Sequence, residues 1–455
     1  MSLRDWAADP IDLGLPGPRS QDMAKVLPAI RSDPLSYLQR VREEYGDLAA
    51  FPVPGAAVLL VNEPDGVRHV LQGNARNWGK ETIQYAALAR VTGPGLLASA
   101  ESSWITHRRA AAPAFHHERL DRIGEQVLDA ADEAVSEWSA HAGGTVDLAP
   151  AVLRVALDAV GRALFSADLS GSAHELVDAS DDAARLVVRL GRALLPIPPW
   201  VPTPLNLRLR TARRRLTTVS GQLIAERRAR GASGGDDLLG LLIDSGLDDG
   251  AIRDELITMI IAGHETVAAS LAWTLMLLAE HPEAQERVHA ELAAHPGRVS
   301  MLSHRSDLPW TRAVVDEALR LFPPAWVVSR RSHRPDTVSG VDVPAGTTVI
   351  VSPWLLHRRE ESWPDPLAFD PERFLVEGAG RTAYAPFGLG PRLCIGREFA
   401  IGEMVLVLSR VLAAYRLDLP AGWTRPRHQA RVAVHPQGGM PLVLTRRAGR
   451  AGRAA

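Results

Sequence analysis

The sequence has one cysteine in 455 residues, no excess of charge and almost no lysine. One thiol excludes an internal disulfide framework, a cysteine-rich zinc site and an ordinary iron–sulfur cluster, because each needs several thiolates. The formal net charge of −2 argues against the broad basic field of nucleic-acid binders, so we expect no nucleic-acid partner. Lys25 and Lys80 are the only lysines, and arginine, which favours bidentate carboxylate pairing, carries the remaining positive charge. Biased coding is the other explanation for this composition.

Long uninterrupted apolar runs are also missing. The first twenty residues lack the basic start and apolar stretch of a signal peptide, and they contain no anchor. The most apolar long segment, Leu256 to Ala279, is interrupted by Gly263, His264 and Glu265, which favours a buried helix over a membrane span. We therefore expect a cytoplasmic protein without a membrane anchor.

The composition, 46% hydrophobic and 23% charged, is that of a globular protein, but length alone leaves the domain count open. Apolar spacing predicts a mainly helical body over residues 104–230, with loops at Leu194 to Pro204 and Gly231 to Asp237. A helix from about Gly250 to Glu280 is long enough to cross a whole domain.

Local signals predict three further elements. A helix should run from Pro34 to Tyr45 with Asp33 as its N-cap. The segment around Pro54 and Gly55 is typical of a hairpin, and a second hairpin is expected around Gln437 to Gly439.

The segment FGLGPRLCIG, Phe387 to Gly396, places Cys394 at the end of a glycine-punctuated loop and the start of an apolar helix. The helix dipole and free N–H groups at that point stabilise thiolate over thiol. Gly396 leaves room for a flat group, and Arg392 can pair with a carboxylate of that group. The residues alone leave two alternatives open: an inert buried thiol, and a nucleophile activated by a histidine.

Three weaker patterns lie elsewhere in the chain. In AGHET, residues 262–266, a threonine that bonds back to a carbonyl would open a polar notch, and the missing side chain of Gly263 would let a ligand press against the helix. The alternative is a tolerated glycine with a satisfied threonine. Glu317 and Arg320 share a helix face, as many surface pairs do. Trp104 and Arg108 also share a face, and the plain alternative is a half-buried aromatic beside an exposed charge.

The ten residues from Phe387 to Gly396 match in full the cysteine-loop signature of cytochromes P450, and the chain resembles that family along nearly its whole length. The resemblance implies that Cys394 is the axial ligand of the iron of a haem b cofactor. It also implies a single domain over residues 1–455, mainly α with a smaller β-rich portion. We expect flexible tails at 1–15 and 447–455.

The resemblance also assigns roles to the weaker patterns. Trp104 and Arg108 match the WxxxR element that holds a haem propionate, and Arg330 matches a further propionate position, to which the carboxylate-pairing role expected of Arg392 is added. Many soluble bacterial members have histidine where this chain has Trp104, so the sequence leans towards the fatty-acid-hydroxylase and microsomal-like branch. His107 is expected to be an ordinary helix residue.

The pair formed by Glu317 and Arg320 resembles the ExxR element, and Arg373 lies in the matching PERF segment. In the family these three form a buried structural network beneath the cysteine loop. Removing one member should then cost about 3–5 kcal/mol, because a buried charge loses its partner.

The implied activity is that of a monooxygenase, which inserts one atom of O₂ into a substrate bond and consumes two electrons and two protons. The resemblance makes Thr266 and Glu265 the catalytic residues, with Thr266 orienting water and Glu265 relaying protons. The chain contains no flavin or iron–sulfur module, so a ferredoxin and its reductase are the expected electron donors. Arg109, Arg119 and Arg397 are candidates for the docking face.

The segments that line the pocket in the family are apolar here: 85–91, 186–195, 259–262 and 325–328. They predict a bulky hydrophobic substrate such as a terpenoid, a fatty acid or a polyketide-like molecule. Two other functions stay open. A peroxide-driven peroxygenase or isomerase would need no electron donor. The intact acid–alcohol pair, Glu265 and Thr266, argues against this alternative. A non-catalytic haem protein would sense gas or carry electrons.

Overall fold

The structure, a computed structural model, describes residues 11–53, 56–167, 179, 182–188, 190, 198, 200–229, 237–295, 299–376, 378 and 381–447. In chain order the helices α1 to α14 are Ser20–Ser32, Pro34–Tyr45, Pro64–Arg68, Ile83–Thr92, Glu101–Ala111, His117–Trp138, Leu148–Phe165, Pro204–Ala229, Leu238–Asp244, Asp249–Glu280, Pro282–Ala294, Pro309–Leu321, Pro353–Leu356 and Arg397–Ala414. The strands β1 to β12 are Leu48–Phe51, Val58–Val61, Trp78–Gly79, Thr145–Asp147, Val328–Ser332, Asp336–Val338, Val341–Val343, Thr348–Val351, Tyr415–Asp418, His428–Ala430, Val434–Pro436 and Pro441–Arg446.

The predicted fold class, mainly α with a smaller β-rich portion, is confirmed. So is the helix from Pro34 to Tyr45, since the Asp33 carboxylate accepts the Ser36 N–H at its start. Residues 194–197 and 199 of the first predicted loop, most of the second loop, 231–237, and most of both predicted tails lie outside the described residues.

A five-stranded sheet has the strand order β1-β2-β8-β5-β3. Strands β1 and β2 form the predicted antiparallel hairpin, with Ala50 opposite Leu59. Strand β8 lies parallel to β2 and antiparallel to β5, which places Arg330 opposite Val349. Strand β5 also pairs with β3, through Arg331 and Ser332, so Arg330 lies next to the part of β5 that is paired on both sides.

The predicted hairpin around Gln437 to Gly439 is wrong in its pairing. The chain does turn there, but β11 pairs with β10, whereas β12 pairs with β4 and β9. Gly438 and Gly439 both have positive φ, 88° and 100°, which lets the chain pass from one sheet to another. A turn signal predicts a change of direction, but it does not predict which strands become partners.

Helix α10, Asp249–Glu280, is the one described helix long and apolar enough to cross a membrane, and 83% of its most apolar window is buried inside the protein. Its sequence is apolar on almost every face, as in a helix at the centre of a large core. The preference for a buried helix over a membrane span is therefore confirmed.

Two apolar clusters meet along α10. Its first half, up to Ile261, packs in a cluster with side chains from α4 to α9. Its second half, from Val267 onward, packs in another cluster with side chains from α12 and α14. The turn of α10 that carries residues 262–266 lies between the two.

Candidate functional site

Cys394 follows a tight loop that immediately precedes α14. Its backbone N–H donates to the Phe387 carbonyl at 3.0 Å, which closes the loop. Gly388 and Gly390 have positive φ, 73° and 68°, and a Cβ on Gly390 would lie 2.2 Å from the carbonyl oxygen of Leu71. Both glycines are therefore required by the loop, and the Cys394 side chain is left accessible.

The surroundings of Cys394 have opposing effects on the pKa of its thiol. Although the Cys394 side chain is accessible at the surface of the loop, the protein that surrounds it desolvates the thiol and raises its pKa, while the Gly396 backbone N–H and the charges of Arg108, Lys80 and Arg397 lower it. The expected helix-start contribution is present, but burial outweighs it. A coordinated metal cation would supply the further positive charge that a thiolate needs at this position.

Cationic side chains gather around this thiol. Lys80, Arg108 and Arg330 donate to neutral oxygens, whereas Arg392 pairs with the Glu101 carboxylate at 2.7 Å. Burial, followed by the charges of Arg330 and Arg392, holds the pKa of Lys80 well below its ordinary range. Among the described residues this cluster carries more positive than negative charge, so it suits a ligand with carboxylates.

Trp104 lies inside the same cluster. Its ring is 8% exposed, with the guanidinium carbon of Arg392 at 4.2 Å and that of Arg108 at 5.7 Å from the ring centroid. The predicted propionate residues Trp104, Arg108, Arg330 and Arg392 are thus brought together. Lys80 was missed, although its rarity in an arginine-rich chain was a signal that could have identified it.

Glu317 and Arg320 form a fully buried ion pair, both 0% exposed, with two N–O distances of 2.7 Å. The Nε of Arg373 lies 3.6 Å from Glu317, and the Asp370 N–H donates to the same carboxylate at 2.9 Å. Burial raises the pKa of Glu317 above its ordinary value, and these cations and the N–H offset only part of that rise. The structure therefore places the three predicted network residues together.

This network binds the chain between residues 357 and 370. Arg320 donates to the carbonyls of His357 and Ala368 at 2.9 and 3.0 Å, and Arg373 donates to that of Asp365 at 3.0 Å. The buried His357 ring accepts the Ala385 N–H at 2.9 Å through Nε2. The network therefore reaches the segment that leads to the cysteine loop through His357. The sequence did not single out this histidine.

The notch in α10 has the predicted threonine geometry. Thr266 Oγ1 donates to the Ala262 carbonyl at 2.7 Å. Gly263 packs closely against α7, because a Cβ there would lie 3.0 Å from the side chain of Val160, and its expected contact with a ligand stays a prediction. Glu265 is 5% exposed, and its Oε1 lies 3.1 Å from Nε2 of His435, which the sequence did not reveal.

His107 is not the ordinary helix residue that we expected. It is buried, and its Nδ1 bonds to Glu255 of α10. The same Glu255 oxygen accepts the Leu96 N–H at 2.8 Å. These bonds tie α5 and the loop before it to α10, and no local pattern predicts such a long-range pair.

The His107–Glu255 pair predicts a pH dependence of stability. The hydrogen bond to Glu255 raises the pKa of His107 above its ordinary value of 6.5. The stabilisation is therefore complete below pH 6.5 and is lost as the pH rises through the higher folded-state value. His107→Gln should show a smaller fall in unfolding midpoint across that window. His116→Gln, at an exposed histidine, is the control, and parallel curves for wild type and His107→Gln would contradict the prediction.

The comparison with known families decides the identity. The family model described as Cytochrome P450 matches residues 16–443. The chain belongs to the cytochrome P450 family. It is therefore a monooxygenase, and the non-catalytic alternative is set aside.

Several cytochromes P450 resemble this one over most of their length. Cyclooctat-9-en-7-ol 5-monooxygenase of Streptomyces melanosporofaciens is 33% identical over 86% of both chains. Pentalenene oxygenase of Streptomyces avermitilis is 32% identical over 89% of this chain and 91% of its own. The crystal structure of a six-coordinated cytochrome P450 from Thermus thermophilus has a TM-score of 0.72 at 32% identity, covering 91% of this chain and 98% of that one.

The residues around Cys394 fit the haem that cytochromes P450 bind. The accessible thiol would supply the ligand atom, and the positive charges of buried Lys80 and Arg330 and half-buried Arg108 suit two propionates. When bound, a thiolate-ligated haem supplies the oxygen-activating redox chemistry.

Proposed function

We propose that this cytochrome P450 oxidises a bulky terpenoid, with haem b held by Cys394. The observation that carries the substrate class is the apolar cluster on the first half of α10. Described side chains from three predicted pocket segments, 85–91, 186–190 and 259–261, pack into it beside Trp104. Two of the relatives are bacterial terpene oxygenases, which favours a terpenoid over a fatty acid or a polyketide-like molecule.

The proposed cofactor contacts are Trp104, Arg108, Arg330 and Arg392, with Lys80 added. The charges described above support this assignment, because a buried cation without a counter-charge is costly unless a ligand supplies one. Arg330 is paired with Val349 of β8, and the two residues that follow it in β5 pair with β3, so its backbone lies in a well-held part of the sheet.

For catalysis we propose that Thr266 orients water and Glu265 relays protons. The Thr266 hydroxyl has its single proton committed to the Ala262 carbonyl, which leaves its oxygen lone pairs to accept from water. Glu265 Oε2 is buried, and no described residue donates to it. An acceptor hydroxyl and an unpartnered carboxylate oxygen on neighbouring residues suit a water-mediated relay.

We further propose that a ferredoxin and ferredoxin reductase supply the electrons, in the cytoplasm. Arg109 and Arg397 are exposed and available for docking. Arg397 also bonds to Glu398 at 2.8 and 3.0 Å, which weakens its charge as seen by a partner. Arg119 is half-buried, so it contributes less to such a face than we expected.

Terpenoids, fatty acids and polyketide-like compounds should be titrated against the purified haem protein. We expect terpenoids to produce the largest spin-state change and, with ferredoxin, reductase and O₂, an oxidised product. A larger response and faster turnover with fatty acids would overturn the substrate class. Equal turnover with peroxide and no electron donor would favour a peroxygenase.

Thr266→Ala should lower the product formed per electron pair by about tenfold or more, because the hydroxyl that orients the proton-delivering water is lost. Thr274→Ala is the matched control, since Thr274 makes the same bond to the carbonyl four residues back, at 2.7 Å, two turns along α10. Equal coupling in the two variants would overturn the proposed role of Thr266.

A further inference from the structure

Glu265 is held by a residue from the last part of the chain. Nε2 of His435, on β11, lies 3.1 Å from Oε1 of Glu265, and the two side chains are 17% and 7% exposed. An ionised carboxylate is an acceptor only, so the histidine N–H donates. The other carboxylate oxygen, Oε2, is buried without a donor in the described part of the chain.

The backbone of His435 is anchored to the same helix that carries Glu265. Trp273 Nε1 donates to the carbonyl of the preceding Val434 at 2.8 Å. Trp273 is fully buried and stacks on Phe322 with ring centroids 4.0 Å apart. Eight residues of helix separate Glu265 from Trp273, about 12 Å. Strand β11 is therefore fixed to α10 beside His435, which restricts where its ring can lie.

The hairpin that carries His435 is also held at its other side. His435 is paired with Gln429 on the neighbouring strand β10. In the turn between the two strands, the Arg431 carbonyl accepts a hydrogen bond from Trp326 Nε1 at 2.9 Å. Contacts on both sides of the hairpin therefore limit its movement relative to the turn of α10 at Glu265.

We propose that His435 is a positioning residue for proton delivery: it holds Oε1 of Glu265 and so leaves Oε2 as the oxygen that exchanges protons beside Thr266. The inference rests on the proposed relay through Thr266 and Glu265. A glutamate side chain has several rotatable bonds, and a hydrogen bond from a fixed ring removes most of that freedom. The carboxylate then occupies one orientation before the reaction begins.

The test compares His435→Leu with His435→Gln. Leucine removes the donor, and coupled product formation should fall by about tenfold, the size expected for one lost charge-assisted hydrogen bond. Glutamine keeps an N–H close to the position of Nε2 and should restore most of the coupling. The substrate dissociation constant from spin-state titration should stay the same in both variants. Gln429→Leu, on the facing strand, is the control and should couple like wild type.

A second readout needs no turnover. In ¹⁵N NMR of the haem protein, the side-chain Nε2 signal of His435, assigned by its loss in His435→Gln, should shift in Glu265→Gln, because the charged acceptor is gone. An unmoved signal would contradict the pairing.

Unchanged coupling in His435→Leu would overturn the inference. It would also be overturned if glutamine rescues no better than leucine, or if substrate affinity falls while coupling stays intact. The proposed function fails separately: if Thr266→Ala does not uncouple, the relay itself is wrong. If Thr266→Ala uncouples and His435→Leu does not, the proposed relay stands and only the role of His435 is rejected.

Discussion

Cys394→Ser is expected to abolish oxygenase turnover and to remove the thiolate signature from the reduced carbon-monoxide spectrum of the haem protein. A serine hydroxyl remains protonated where a cysteine thiol can be deprotonated by a metal, so the chain loses its anionic ligand. Since this is the chain's only cysteine, no second thiol can replace it. The expected fall in turnover is at least about a thousandfold, to the background rate.

The fold should survive this substitution. The Cys394 side chain is accessible and its backbone bond to Phe387 is unaffected by the side-chain change, so little apolar contact is lost. Circular dichroism and the unfolding midpoint without haem should match wild type. Cys394→His offers a neutral ligand as a comparison, and it should bind haem with a different spectrum. An unaltered carbon-monoxide spectrum in the serine variant would contradict ligation by Cys394.

Glu317→Ala should destabilise the protein by about 3–5 kcal/mol, a large part of the total stability of a folded domain. The substitution leaves Arg320, which is 0% exposed, with a buried charge and without its two 2.7 Å bonds. It also removes the acceptor of the Asp370 N–H, so the segment between residues 357 and 370 loses its direct bond to Glu317. We expect a low yield of folded protein and a strongly reduced urea midpoint.

A surface pair provides the matched control for Glu317→Ala. Arg228 and Asp249 form an equally short ion pair, 2.6 Å, but their side chains are 49% and 62% exposed. Arg228→Ala should therefore change the stability by no more than about 1 kcal/mol. If both variants unfold at the same urea concentration as wild type, the Glu317 network does not carry the stability that its burial implies.

The predictions that the structure supports best came from residues close together in the chain. The bond from Thr266 to Ala262 spans four positions and the Glu317–Arg320 pair spans three, so helix geometry alone brings the groups together. The cysteine loop is likewise one continuous segment. These parts of the candidate site could be located from the sequence, as could the helix bounds near Pro34 and along α10.

The failures have a common cause, which is separation along the chain. His107 and Glu255 are 148 positions apart and His435 and Glu265 are 170 apart, and no local pattern specifies such partners. The close packing of Gly263 against Val160 of α7 likewise follows from no local pattern.

The sequence by itself therefore determined the helical fold class, the cysteine loop and the acid–alcohol pair in α10. Periodicity, capping and short motifs act between residues that are close together in the chain. Only the tertiary structure decided that Lys80 joins the arginines around Cys394, that β11 pairs with β10, and that His435 holds Glu265. Those contacts depend on how distant elements pack, and packing is set by the shapes of whole helix and sheet surfaces.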